Sequence, residues 1–324
     1  MSVKAIDYDA LATTVRQEVI PVWQAESVMG LFPWVPIPNG IAASDWASKY
    51  LLQTQGANWT AAGYDPNFVT ISYQGYKLAV DTVAQAMQLE EQDLAFYQVH
   101  GFFDKSVKQL AENAAKTSNL AFFYGLDAAG ATPHSTQYNY VLDESTASGT
   151  GARPLMAVNS ATAGTWKTFA NIDKDIANLL GGMESMGYPK SECIVVYPRV
   201  ADPAMMLHFS EYQDRSIKEH FDTQCRGAIA VPNDYLPTNA RATAPTLADF
   251  DIFAIHIPSV VIGYTRAERL RIVPPFGTVR TTTVEFEVWY CPLFVPKPLI
   301  TTTGTATTTK YYKGIGMLDG CLYT

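Results

Sequence analysis

The sequence predicts an α+β protein in which helices and strands mix without a regular β-α-β alternation, and three stretches carry that prediction. In "TVEFEVWYCPLFVPKPLI", residues 283–300, Val284, Phe286, Val288 and Tyr290 alternate with Glu285, Glu287 and Trp289, the period-2 signature of a strand with two unlike faces. Over 101–124 the period becomes 3.6: Phe103, Val107, Leu110 and Ala114 step by four, three and four, and Phe122 and Phe123 close the run before Gly125. Between 165 and 260, helical and extended patterns follow one another irregularly.

Taken in chain order, residues 5–26 place Leu11, Val15, Val19 and Val22 at helical spacing, with Pro21 as a kink or stop, which predicts an amphipathic arm. In "VMGLFPWVPIPNG" Pro33, Pro36 and Pro38 forbid a helix, and the large apolar residues between them, Leu31, Phe32, Trp34 and Val35, need a partner to cover them. Residues 45–80 read as two extended runs around a middle rich in Gly, Ala, Asn and Asp, a long hairpin with a soft tip. Its rings, including Trp46, Tyr50, Trp59 and Tyr64, have little local core, so the hairpin is expected to pack on a neighbour. The helical period is read from 89 to 124, with Gly101 dividing off a shorter helix over "LEEQDLAFYQ". A Gly-, Ser-, Thr- and Ala-rich stretch from 127 to 164 reads as loops with short strands.

The next helix is predicted from a cap at Thr165, with Phe169, Ile172, Ile176, Leu179 and Leu180 as its apolar stripe and a stop at Gly181 and Gly182. The strand "ECIVVYP", short helices over "RVADPAMMLHF" and "SIKEHFDTQC", the strand "GAIAVPNDYL" and one long extended run, "DFDIFAIHIPSVVIGY", follow. The Thr-rich ending "TTTGTATTTKYYKGIGMLDGCLYT" is predicted to be extended, and no internal repeat is visible.

Composition narrows the function classes. The net charge of −8, with no long Lys/Arg cluster, gives no electrostatic footprint for gripping a phosphate backbone. The apolar runs are broken well short of the ~20 residues a membrane span needs, so no membrane partner is expected. "MSVKAIDYDALATT" lacks the apolar core of a secretory signal, which points to synthesis in the cytoplasm and gives the Asn58-Trp59-Thr60 sequon little standing for glycosylation. Cys193, Cys225, Cys291 and Cys321 never approach C-x-x-C spacing, which argues for free buried thiols and against a zinc site or redox dithiol.

Chemistry is sought in each remaining motif. "GIGMLDG" has G-x-G-x-x-x-G spacing with no helical pattern after it, so it reads as a turn rather than a phosphate loop, and no G-x-x-x-x-G-K-[ST] exists. His100, His134, His208, His220 and His256 lack H-x-H or H-x-x-x-H spacing, and His256 reads as a satisfied buried imidazole. The acid pairs Glu90/Glu91 and Asp173/Asp175 are read at helix starts, where they favour the dipole. There is no G-x-S-x-G elbow and nothing around Cys225 marks a nucleophile, so no catalytic, cofactor or metal residue is assigned.

An apolar arm, an aromatic hairpin, a long helix, an α+β unit and return strands make an order that resembles the major capsid proteins of tailed viruses, with the HK97-type fold, and the related encapsulin shell proteins. "RLRIVPPF" followed by "VEFEVWYCPLFVPKPLI" resembles the family's closing strand pair, running into Lys297, Pro298, Leu299 and Ile300, and "AFFYG" at 121–125 resembles the end of its spine helix. The resemblance implies an N-terminal arm over 1–38, an extended loop over 39–80, a peripheral domain with the spine helix over 81–164, an axial domain over 165–260, and peripheral return strands with a C-terminal tail over 261–324. Two features depart from the family pattern. No long N-terminal scaffolding region is present, implying a separate scaffold or a mature product, and the Thr-rich tail after 301 reads as a strand added to a neighbour.

The implied function is that of a major capsid protein, not an enzyme, self-assembling through hexamers and pentamers into an icosahedral virion shell around double-stranded DNA. Its implied partners are itself, scaffolding, portal and cement proteins, and packaged DNA without sequence-specific contact. An encapsulin-like nanocompartment with protein cargo is the first alternative. A cytosolic α+β enzyme, its site assembled from His220, Glu219 and Cys225, is the second. Candidate subunit-interface residues are Trp23, Phe32 and Trp34 in the arm and Trp46, Tyr50, Trp59 and Tyr64 in the hairpin, each weighed against a place in the local core.

Overall fold

The computed structural model describes residues 17, 21–24, 27–37, 47–52, 72–77, 81–90, 102–125, 140–141, 156–159, 169–207, 215–231, 246, 250–274, 281–294, 297–303 and 306–321. Its first sheet is four-stranded, in the order β1 (Trp34–Pro36), β9 (Val260–Val273), β10 (Thr281–Phe294), β4 (Asp81–Glu90). The alternation seen in β10 becomes a division of faces, with Val284, Phe286 and Tyr290 fully buried and Glu285, Glu287 and Trp289 partly exposed. β9 runs antiparallel on one side of β10, from Thr283 opposite Val273 to Phe294 opposite Val260. β4 runs antiparallel on the other, from Thr281 opposite Glu90 to Tyr290 opposite Asp81.

The long helix α1 (Phe102–Tyr124) covers the buried face. Ala111, Ala114 and Ala115 are buried beside Leu110, and such small side chains let helix and sheet approach closely. The helix stops where Gly125 takes φ +64°, and Val141 N–H bonds the carbonyl of Phe122, in the last turn, at 2.8 Å.

β4 corrects the expectation of a helix from residue 89. Leu89 and Glu90 end a strand, so Glu90 is not a helix-start acid, and Glu91 and the helix expected over 92–98 lie outside the described residues. Ala, Gln, Met and Leu favour helix intrinsically, but ten paired positions along β10 override that preference.

The second sheet is five-stranded, in the order β5 (Met156–Asn159), β13 (Ile315–Cys321), β8 (Phe250–His256), β6 (Cys193–Pro198), β7 (Ala228–Val231). Every residue of β6 and β8 is buried, because both faces of this sheet are covered. One face joins the core beneath α1, where Phe253 meets Phe123 at 5.0 Å. On the other, Val195, Tyr197, Ile252 and Ala254 pack with α2 (Phe169–Ser185), α3 (Asp202–Met205) and α4 (Ile217–Gln224).

Three further expectations change. The run from 250 to 264 is two strands in different sheets, split at the 3₁₀ turn Ile257–Ser259 by Pro258, which has no N–H to continue a ladder. β13, placed by sequence with the return strands of 261–324, instead pairs with β8, Ile315 opposite Ile255, and parallel to β5, Gly316 opposite Met156. The Thr-rich stretch before it, expected as a single strand, is the hairpin β11 (Lys297–Thr303) and β12 (Ala306–Tyr312), Thr301 opposite Thr308.

α2 also runs past Gly181 and Gly182, because Met183 and Met186 continue its buried stripe. Its true stop is Gly187, at φ +81°, where Tyr188 N–H bonds Met183 O at 3.0 Å. Asp173 and Asp175 therefore lie beyond the first turn, which carries no acid, and Asp175 is fully buried. A Cβ at Gly187 meets nothing within 4 Å, so Gly187→Ala is expected to cost only the left-handed backbone, about 1–2 kcal/mol in urea denaturation.

The aromatic hairpin consists of β2 (Ala47–Leu52) antiparallel to β3 (Ser72–Lys77), from Ala47 opposite Lys77 to Leu52 opposite Ser72. Its tip lies outside the described residues, and among those described its strands pair only with each other.

Candidate functional site

The arm is fastened to the chain's own helix and sheet. Trp23, 1% exposed, donates its indole N–H to Ser118 Oγ at 3.2 Å, sets its ring edge-on to Trp34 at 5.7 Å and tilts against Phe286 at 5.9 Å. Phe32 stacks on Phe122 at 5.4 Å, and Val28 N–H bonds Asn119 Oδ1 at 2.8 Å. Trp34 is half-buried against Tyr264 and Tyr290, its indole N–H on Met29 O at 3.1 Å. Trp23 and Phe32 thus spend their ring surface inside the chain's own fold, and of the three candidate arm rings Trp34 alone keeps partial exposure, beside the exposed Val35 and Pro36. Ser118 and Asn119, the polar residues that receive the arm, escaped the sequence reading; their signal was a polar pair set among the small and apolar residues of the helix. Trp46, Trp59 and Tyr64 lie outside the described residues, and Tyr50 stands on β2 opposite Gln74 with its side chain outside the description.

The enzyme alternative rested on three residues that the structure places on and just after α4. Glu219 is engaged in a capping box: its carboxylate accepts Ser216 N–H at 2.7 Å while Ser216 Oγ accepts Glu219 N–H at 3.2 Å. Burial pushes the Cys225 thiol up to about 11, against the opposing charge of Lys190. His220 is lowered, chiefly by burial, despite the nearby Asp173. At neutral pH the thiol stays protonated and the carboxylate is already bonded to backbone, so the trio lacks an activated nucleophile. Cys225 in the folded chain is expected to resist iodoacetamide at pH 8, where ~0.1% would be thiolate, while a urea-unfolded control alkylates; mass spectrometry of the Cys225 peptide checks this. The four cysteines are buried, and among the described residues no group of three or more His, Cys, Asp or Glu lies close enough to hold a metal ion.

One constellation has the outline of a relay. His256 places Nε2 2.8 Å from Glu192 Oε2 and Nδ1 2.6 Å from Ser259 Oγ. Ser259 is only 4% exposed, and Gly314 closes over it, so the hydroxyl acts on the turn that carries it rather than on a solute. The "GIGMLDG" stretch is likewise structural: Gly314 takes φ +75° and its carbonyl accepts His256 N–H at 2.9 Å before β13 begins. Among the described residues, no helix is long and apolar enough to cross a membrane.

What remains is a chain that folds an arm and a long helix onto one sheet, joins a second, helix-covered sheet to the same core and carries a separate two-stranded ribbon. No protein-family model matches the sequence, and no curated protein matches it. The fold does match solved structures. A chain from Gordonia phage Cozz aligns with a TM-score of 0.59 at 10% identity, over 91% of this chain and 86% of that one. A virus-like particle from Pyrococcus furiosus aligns at 0.57 and 9% identity, over 97% of this chain and 100% of that one. The capsid of Myoviridae phage XM1 aligns at 0.55 and 12% identity, over 90% of each chain. The chain has the HK97-type capsid fold, shared in architecture rather than in side chains.

Proposed function

We propose that the chain is a major capsid protein, a structural subunit that closes into an icosahedral shell around double-stranded DNA and resides in the virion after synthesis in the host cytoplasm. The observation that carries this reading is the extent of the likeness to the phage XM1 capsid, 90% of both chains. The physics of the subunit supports it. Two-stranded ribbons such as β2–β3 and β11–β12 are marginal on their own in water, and a neighbouring subunit would cover them. Heterologous contacts of that kind close into rings of five and six. The charge of −8 suits a wall that encloses DNA without gripping it. Scaffolding, portal and cement proteins are the further partners of such a shell.

Negative-stain electron microscopy with light scattering on the purified chain tests the reading. Closed shells or isolated five- and six-membered rings are expected; a monodisperse monomer at every salt and pH would overturn it. In this reading Trp46, Tyr50, Trp59 and Tyr64 anchor the hairpin on a neighbour. Trp59→Ala is then expected to lower the assembled fraction at fixed concentration by roughly tenfold or more while leaving the subunit's melting temperature unchanged. Unchanged assembly would remove the hairpin from the interface.

A shell around protein cargo is the second reading, and the likeness to solved shells supports it no better than the first. The diameter of the shells and their nucleic-acid content separate the two.

A further inference from the structure

The chain passes from the five-stranded sheet to the four-stranded one through the turn Ile257–Ser259. His256, the last residue of β8, is buried there, with both ring nitrogens and its backbone N–H bonded. Its Nε2 meets Glu192 Oε2 at 2.8 Å, its Nδ1 meets Ser259 Oγ at 2.6 Å, and its backbone N–H bonds Gly314 O at 2.9 Å, where the chain re-enters the five-stranded sheet. The Tyr188 ring lies 5.1 Å away.

The charged and titratable groups around the imidazole come from four places. Glu192 lies on the turn before β6, and Tyr188 follows α2. Cys193 stands opposite His256 on β6, its thiol donating to Pro189 O at 3.4 Å. Lys313 precedes Gly314, but its ammonium is directed to the carbonyls of Tyr140 at 2.9 Å and Val141 at 3.2 Å. Lys190, beside Glu192, faces Glu184 at 3.9 Å. The Glu192 side chain is 49% exposed, so solvent reaches the Nε2 side of the latch directly and the Nδ1 side only when the turn opens.

We propose that Glu192, His256 and Ser259 form a proton-operated latch on the passage between the two sheets. With the imidazole neutral, Nε2–H donates to Glu192 and Nδ1 accepts the Ser259 hydroxyl proton. Uptake of one solvent proton at Nδ1 converts the first contact into an ion pair and reverses the second, so that Nδ1–H donates to Ser259 Oγ. No bond is lost, and a charge-assisted bond replaces a weaker one. The stabilisation is present while His256 is protonated and is lost as pH rises through the histidine range. Acidification therefore tightens the passage, whereas a purely structural imidazole would hold it equally at every pH.

Hydrogen–deuterium exchange of the full chain tests the latch, read on peptides covering 250–264 at pH 5.5 and 7.5 after correction for intrinsic exchange. The wild type is expected to be roughly tenfold better protected at pH 5.5, the effect of about one pK unit of differential interaction. Glu192→Gln, a half-exposed change that keeps an acceptor but removes the charge, is expected to abolish that rise and stay within about twofold of wild type at pH 7.5. Equal wild-type protection at the two pH values, or an undiminished rise in Glu192→Gln, would overturn the latch.

Discussion

Trp23→Ala is expected to release the arm from α1 and to cost about 3–5 kcal/mol, the range for removing a fully buried aromatic ring. The loss has three parts. The cavity opens between Ser118, Trp34 and Phe286; Trp34 loses its edge-on partner; and Ser118 loses its indole donor. Urea denaturation of the unassembled subunit measures the cost, and limited proteolysis over 27–37 reports whether the arm has come away. Trp23→Phe keeps most of the ring and is expected to lose about 1 kcal/mol, the net worth of the hydrogen bond. A cost below ~1 kcal/mol for alanine, with the arm still protected, would mean that Phe32 on Phe122 and Val28 on Asn119 hold the arm without it.

Gly314→Ala is expected to cost about 3 kcal/mol, from left-handed backbone strain of about 1–2 kcal/mol plus the overpacking that follows. The new Cβ would stand 2.9 Å from Ser259 Cβ and 3.0 Å from Tyr188 Cε1, and moving Gly314 also disturbs the bond from His256 N–H. Gly320 provides the control: its φ is +70° but a Cβ there meets nothing within 4 Å, so Gly320→Ala should show the backbone cost alone. Equal losses for the two variants would show that the contact at Gly314 relaxes freely.

Much of the fold was legible because local physics and the final structure agree. The alternation of Val284, Phe286 and Tyr290 with Glu285 and Glu287 states which face of β10 is buried, and the four-three-four spacing through Leu110 and Ala114 states which face of α1 covers it. The Ser216/Glu219 box begins α4 just inside the stretch read as helical. Of the candidate site, the arm rings were legible as apolar groups needing cover, but not what covers them. Trp23 and Phe32 read equally as interface anchors or as local core, and only the position of Ser118, Phe122 and Phe286 in space shows that the subunit covers them itself.

By itself, then, the sequence determined the α+β class, the faces of its long helix and strongest strand, and the absence of a recognisable local catalytic or metal motif, since each of these is written in residues close together along the chain. Tertiary structure alone decided the rest. Ala- and Gln-rich β4 became a strand through its ladder to β10; Pro258 divided one apolar run between two sheets; and β13 crossed to β8 instead of staying with the strands before it. These outcomes depend on partners distant in sequence, and burial against such partners outweighs the small intrinsic preferences that a local reading can weigh.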